Sequence, residues 1–207
     1  DGSLDVIAQA VNQAGLRASL CYEVTDRDGP EKAEAGLQEN LRFIQRIQKS
    51  DLVDANLKAH FGLHASLTLS DETLARAGSL APEGVGLHIH AAEGVADQED
   101  SLEKSGVRVV HRLDRFGILR PETILAHGVH LDETEMERLV ETRTWLTHQP
   151  RSNMNNAVGV APVEKMLEKG IRLGLGNDGF TNTMWLEWKE AYLLHKIAHR
   201  DPQRMGG

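Results

Sequence analysis

Apolar residues recur along this chain with two periods in turn, and that alternation limits the fold more than any other feature. Leu4, Ile7, Ala8 and Val11 keep helical spacing, with Ser3 placed to cap and Gly15 to stop the helix. Arg17–Val24 then reads as a strand, and Glu31–Lys49 as a helix with Leu37, Leu41, Ile44 and Ile47 inward. Strand patterns follow at 57–64, 85–92, 123–130, 144–148 and 171–176. Helical patterns separate them at Asp71–Ala77 and Ala96–Ser105, and after Asp132, which forms a capping-box variant with Glu135. Further helices run from Pro162 to Gly170 and from the cap Asn182 to His199. Val107–Arg115 is expected to carry a short extended piece, and Arg151–Ala161 a long irregular loop. Strict alternation of this kind makes an α/β fold with a parallel sheet and helical crossovers. A (β/α)8 TIM barrel and an open doubly wound sheet both satisfy it.

Size and charge narrow the choice of chemistry. The chain has 207 residues, fewer than the ~250 of a complete (β/α)8 barrel. It is 40% hydrophobic and carries a net charge of −8, which gives no electrostatic footprint for nucleic acid. No apolar run approaches the ~18 residues of a membrane span, and no basic segment followed by an apolar one opens the chain. The single cysteine, Cys21, lies in an apolar stretch, reads as a small buried hydrophobe and suits a reducing cytoplasm.

The chemistry gathers at strand ends. His64, His90, His127 and His148 close four successive strands, and Asp178 closes the next. In a parallel barrel, catalytic groups come from the C-terminal ends of several strands. His88 and His90 share one face of a strand, so they read either as two ligands of one metal or as one ligand and one barrel-filling histidine. Glu93 follows just past the strand end, where a carboxylate can shuttle a proton from metal-bound water; alone it would pass for a loop residue. Asp178 lies in Asn177-Asp178-Gly179, which is also ordinary turn chemistry. His130 lies past its strand and reads as structural.

Several motifs mislead. Gly174-Leu-Gly-Asn-Asp-Gly179 matches a dinucleotide-binding fingerprint but does not open a βαβ unit. His195 and His199 have zincin spacing, but Lys196 stands where the glutamate base belongs, so a surface pair is expected. Trp185 and Trp188 are expected to cover the sheet or line a pocket rim.

Four segments together resemble a known family. His88-Ile-His-Ala-Ala-Glu93, Ala126-His-Gly-Val-His-Leu131, His148-Gln-Pro-Arg-Ser-Asn153 and Leu175-Gly-Asn-Asp-Gly179 are similar to successive motifs of the amidohydrolase superfamily, in its cytosine-deaminase-like and chlorohydrolase-like branch. The stretches from Cys21 to Asp28, from Pro150 to Gly159 and from Asn177 to Trp185 resemble SsnA-type aminohydrolases in particular. The resemblance implies a metal-dependent hydrolase on a TIM barrel, with one divalent metal, zinc or alternatively iron. It implies His90 and Asp178 as metal ligands and Glu93, His127 and Asp178 as catalytic groups. It places His64, Ser152 and Asn153 against the substrate.

The implied reaction is hydrolysis of a C–N bond, deamination of a purine, pyrimidine or related N-heterocycle. Dechlorination or cyclic-amide hydrolysis on the same scaffold is the alternative, and a non-catalytic ligand-binding fragment is a third. The six strands correspond to strands three to eight of the family barrel. The first two strands, their H-x-H ligand pair and the flanking β-sandwich are then absent from residues 1–207, and this piece alone is expected to be inactive. The partners implied are a small heterocyclic substrate and a second copy in a homodimer, with no nucleic acid and no membrane.

Overall fold

The computed structural model describes residues 2–49 and 56–206. They divide into two compact units, Asp1–Ile89 with Leu113–Thr123, and His90–Arg112 with Ile124–Gly207. Strands β1 (Ala18–Leu20) and β2 (Leu57–Ala59) form a two-stranded sheet. Strands β3 (Phe61–Ala65), β4 (Leu87–Ala91), β5 (Ile124–His127), β6 (Trp145–His148) and β7 (Arg172–Leu175) follow one another in a five-stranded sheet. Pairing is parallel, with Ala18 opposite Leu57, Leu125 opposite Leu146, and Leu146 opposite Leu173. The α/β class with parallel strands is that read from the sequence.

In the first unit, helix α1 (Ser3–Gln13) buries Leu4 and Ala8 against Phe43 of α2 (Pro30–Lys49) and Leu57 of β2. The helix cap falls on Gly2 at φ 88°, so Ser3 is the first helical residue and not the expected cap. The expected strand 57–64 is split at His60. Buried Asn40 of α2 explains the local geometry. Its Oδ1 accepts from the amides of Tyr22 (2.8 Å) and Gly62 (3.2 Å), and its Nδ2 donates to the carbonyls of both. One side chain thus stands in for the ladder, and Val24 meets Leu63 only as an isolated bridge. Helix α3 (Asp71–Leu80) completes this unit, capped by Ser70.

In the second unit, α4 (Val95–Ser105), α6 (Glu133–Thr142), α8 (Val163–Glu168) and α9 (Met184–His199) match the expected helices within one to three residues. The Asp132–Glu135 capping box forms as read. Two expectations fail. Val107–Arg115 is not extended: α5 (Val109–Arg115) forms there because Gln98 Oε1 and Glu135 Oε1 accept from the amides of Val109 and Val110. Those caps come from α4 and α6, which no local pattern reveals. Arg151–Ala161 is not wholly irregular either, since Pro150 at its first turn starts a short helix, α7 (Pro150–Asn155).

Candidate active site

Three of the strand-end groups of the second unit, His90, His127 and Asp178, come together with Glu93, while His148 packs against His195 instead. His90 leaves β4, and its ring stacks on that of His127 with centroids 5.4 Å apart and planes at 27°. His127 Nε2 lies 3.6 Å from Glu93 Oε2 and 4.0 Å from Asp178 Oδ2. His127 is buried, at 1% exposure, while the Glu93 and Asp178 side chains keep 30% and 34% of theirs. A buried imidazole thus faces two solvent-reachable carboxylates.

The backbone turns sharply to do this. Ala92, His127 and Asp178 have φ of 53°, 76° and 53°, the left-handed region that most residues avoid. Such positions cost of order 1–3 kcal/mol each and persist where the surroundings hold them. The holds are visible. Asp97 Oδ2 accepts from Ala92 N at 2.7 Å and fixes the turn that carries Glu93. Gln149 Oε1 accepts from His127 N at 2.8 Å, and its amide nitrogen donates to Thr147 Oγ1 at 2.7 Å. Gly128, at φ 60°, lets the chain pass Leu146, which would meet a Cβ there at 2.8 Å.

Helix α7 supplies the next layer. Ser152 Oγ donates to Asp178 Oδ2 at 2.5 Å, and Gly179 N donates to Oδ1 at 2.8 Å. Burial pushes the Asp178 carboxyl up, but Ser152, His127, Gly179 and His90 together hold it below the usual range, so it stays ionised. Asn156 Nδ2 donates to Glu93 Oε1 at 3.0 Å. Asn153, fully buried, lies with Oδ1 2.8 Å from His127 Nδ1. Arg151 pairs with the buried Glu187 of α9 at 2.6 Å, which pins α7 in place.

Of the residues singled out in the sequence, His90, Glu93, His127, Ser152, Asn153 and Asp178 come together. Ser152 and Asn153 are turned to Asp178 and His127, at 2% and 0% exposure. His64 belongs to the first unit, where its Nδ1 lies 2.8 Å from Thr68 Oγ1 and its Nε2 3.5 Å from Arg27. His88 stands beside His60 in the first unit, ring centroids 6.3 Å apart. Gln149, Asn156 and Asp97 were missed. Asn156 had a signal in the asparagine-rich run Asn153–Asn156 and Gln149 in the motif His148–Asn153, but neither says which group the side chain serves, and Asp97 had none.

Two other expectations are corrected, for Trp185 and His195. Trp185 does not cover the sheet, being 77% exposed, and Trp188 packs against it at the edge of an apolar cavity. His195 is no surface residue, because it is buried against His148. Cys21 is half-buried just past β1, not the buried strand residue expected, but its partial burial, helped by Glu23, pushes its thiol up to about 11, so the reactive thiolate is suppressed.

Neutral imidazole and ionised carboxylate are the donors a zinc-like cation takes. In number they fall short, since among the described residues no group of three histidine, cysteine, aspartate or glutamate side chains could hold a metal ion.

Residues 2–207 match the Amidohydrolase family, and the chain belongs to that family. A 5′-deoxyadenosine deaminase of Methanosarcina acetivorans is 38% identical over 96% of this chain and 47% of its own length. A 5-methylthioadenosine/S-adenosylhomocysteine deaminase of Thermococcus kodakarensis is 38% identical over 96% of this chain and 48% of its own. An adenosine deaminase from Xanthomonas campestris with bound zinc superposes with a TM-score of 0.85 at 25% identity, over 96% of this chain and 46% of that one. The chain therefore spans about half the length of the curated relatives it matches. Among the described residues no helix is long and apolar enough to cross a membrane.

Proposed function

We propose that the protein takes part in metal-dependent hydrolytic deamination of an adenine nucleoside altered at its 5′ position. The observation that carries this reading is the cluster of Glu93, His127 and Asp178 beside His90 at the strand ends. The names of the relatives favour deamination over dechlorination and narrow the heterocycle to adenine.

His90 and Asp178 would hold the metal, zinc in this reading, with the remaining ligands in the half of the family architecture that this chain does not span. The metal would supply activation of water as a nucleophile at neutral pH. The chain's own groups do the rest. Glu93 takes a proton as water adds to the ring carbon that bears the amino group, and returns it so that ammonia departs. Asn156 keeps one Glu93 oxygen engaged and leaves the other free to face His127. His127 orients the water, and Asp178 assists its deprotonation. His64 is the substrate contact of the first unit, with Arg27 and Thr68 about it.

Ammonia release by the full-length protein from 5′-deoxyadenosine, 5′-methylthioadenosine, adenosine, guanine and a chlorinated triazine tests this directly. Ammonia is expected from the 5′-altered adenosines first. Chloride release from the triazine with no ammonia from any nucleoside would reject deamination.

A further inference from the structure

Glu93 has to present its carboxylate at one place, and its backbone alone does not ensure that. Asp97 holds the turn at Ala92, but a glutamate side chain keeps several freely turning bonds beyond that point. Its Oε2 stands 3.6 Å from His127 Nε2, which is longer than a hydrogen bond. Its Oε1 is held at 3.0 Å by Nδ2 of Asn156. Asn156 caps the C-terminal end of α7, its own backbone amide donating to Ser152 O at 2.9 Å. Asn155 then donates from Nδ2 to Asn156 Oδ1 at 3.0 Å. With that oxygen taken by Asn155, the NH2 end of the Asn156 amide is the end turned to the carboxylate. The helix beneath both is pinned by Arg151 on the buried Glu187.

We propose that Asn155 and Asn156 form a two-amide brace, a pair of positioning residues that fixes where the Glu93 carboxylate stands. Both asparagines are exposed, so packing does not require them. Their hydrogen bonds run in one direction, from Asn155 to Asn156 to Glu93. The brace acts by geometry. It engages Oε1 from the side of α7 and leaves Oε2 towards His127. Placement of this kind matters for rate, because a shift of about 1 Å in a reacting group can cost about a hundredfold. Asn155 serves Glu93 without touching it, since it limits the turning of the Asn156 amide.

This inference rests on the proposed reading of Glu93 as the group that moves the proton, and its test separates the two. Ammonia release by the full-length protein from 5′-deoxyadenosine is followed, with bound metal and the thermal midpoint recorded for each variant. Asn156→Leu should lower kcat about tenfold, the effect of one lost hydrogen bond to a carboxylate, with KM, metal content and midpoint little changed. Asn155→Ala should lower kcat by less. Asn156→Gln, which carries the same amide, should recover part of the loss. In a Glu93→Gln background, Asn156→Leu should cost nothing further, because the brace reaches the reaction only through Glu93. Crystal structures of wild type and Asn156→Leu supply a readout without turnover. The Glu93 carboxylate should meet Asn156 in the first and leave that place in the second. An undiminished kcat in Asn156→Leu overturns the proposal. So does a further loss in the Glu93→Gln background, or a Glu93 carboxylate that keeps its place in Asn156→Leu. A wild type that releases no ammonia, with Glu93 displaced in the variant, would keep the brace and sink the deaminase reading instead.

Discussion

Ser152 and His148 lie four positions apart, and burial acts on the two imidazole and carboxylate sites they define in opposite ways. Ser152 donates to Asp178 and helps keep it ionised. Removing that donor in Ser152→Ala should lower metal affinity roughly 10–100-fold, as loss of a ligand's supporting hydrogen bond commonly does. Metal titration against a chelator would show it, and unchanged affinity would mean Gly179 alone suffices. His148 has no hydrogen-bond partner on either ring nitrogen. Burial, then His195 and His127, push it from 6.5 down to about 3. Below about 6.5 the unfolded chain takes up a proton here and the folded chain does not. Stability should therefore be complete above that pH and fall by about 1.4 kcal/mol per pH unit towards pH 3. Urea unfolding across that range measures the slope, and His148→Leu should remove this part of it. At this scale the sequence showed which residue types collect at strand ends. It did not show the left-handed turns at His127 and Asp178, which depend on Gln149 and Ser152 arriving from elsewhere.

The elements were legible where their signal was local. The Asp132–Glu135 capping box and the stripe of Met136 and Leu139 specify α6 without reference to the rest of the chain. Helix α5 was misread because its caps are Gln98 and Glu135, each on another helix. The loss of regular pairing beyond His60 was invisible for a similar reason, since Asn40 reaches in from α2 to bond the Gly62 amide and carbonyl. Gly62 makes that close approach possible, because a Cβ there would stand 2.4 Å from the Tyr22 carbonyl. Gly62→Ala should cost about 1–3 kcal/mol through forced backbone movement. Chemical denaturation would register this as a lower midpoint, and wild-type stability would show that β3 can shift freely.

Across the whole molecule, 207 residues looked too few for a complete barrel, and the comparisons agree in kind. The chain matches its family from residue 2 to residue 207, yet covers only 47% of the 5′-deoxyadenosine deaminase it resembles. Four ordered strand-end motifs made the family readable, because each carries chemistry that a random core histidine does not. The substrate was not readable, since pocket walls are set by loops whose residues follow no periodic rule. The most direct test joins activity to metal content in one sample: ammonia release from 5′-deoxyadenosine by wild type and Glu93→Gln, with bound metal counted in both. The account predicts equal metal and a rate lower by about 10²–10⁴ in the variant. Equal metal with an undiminished rate would contradict it.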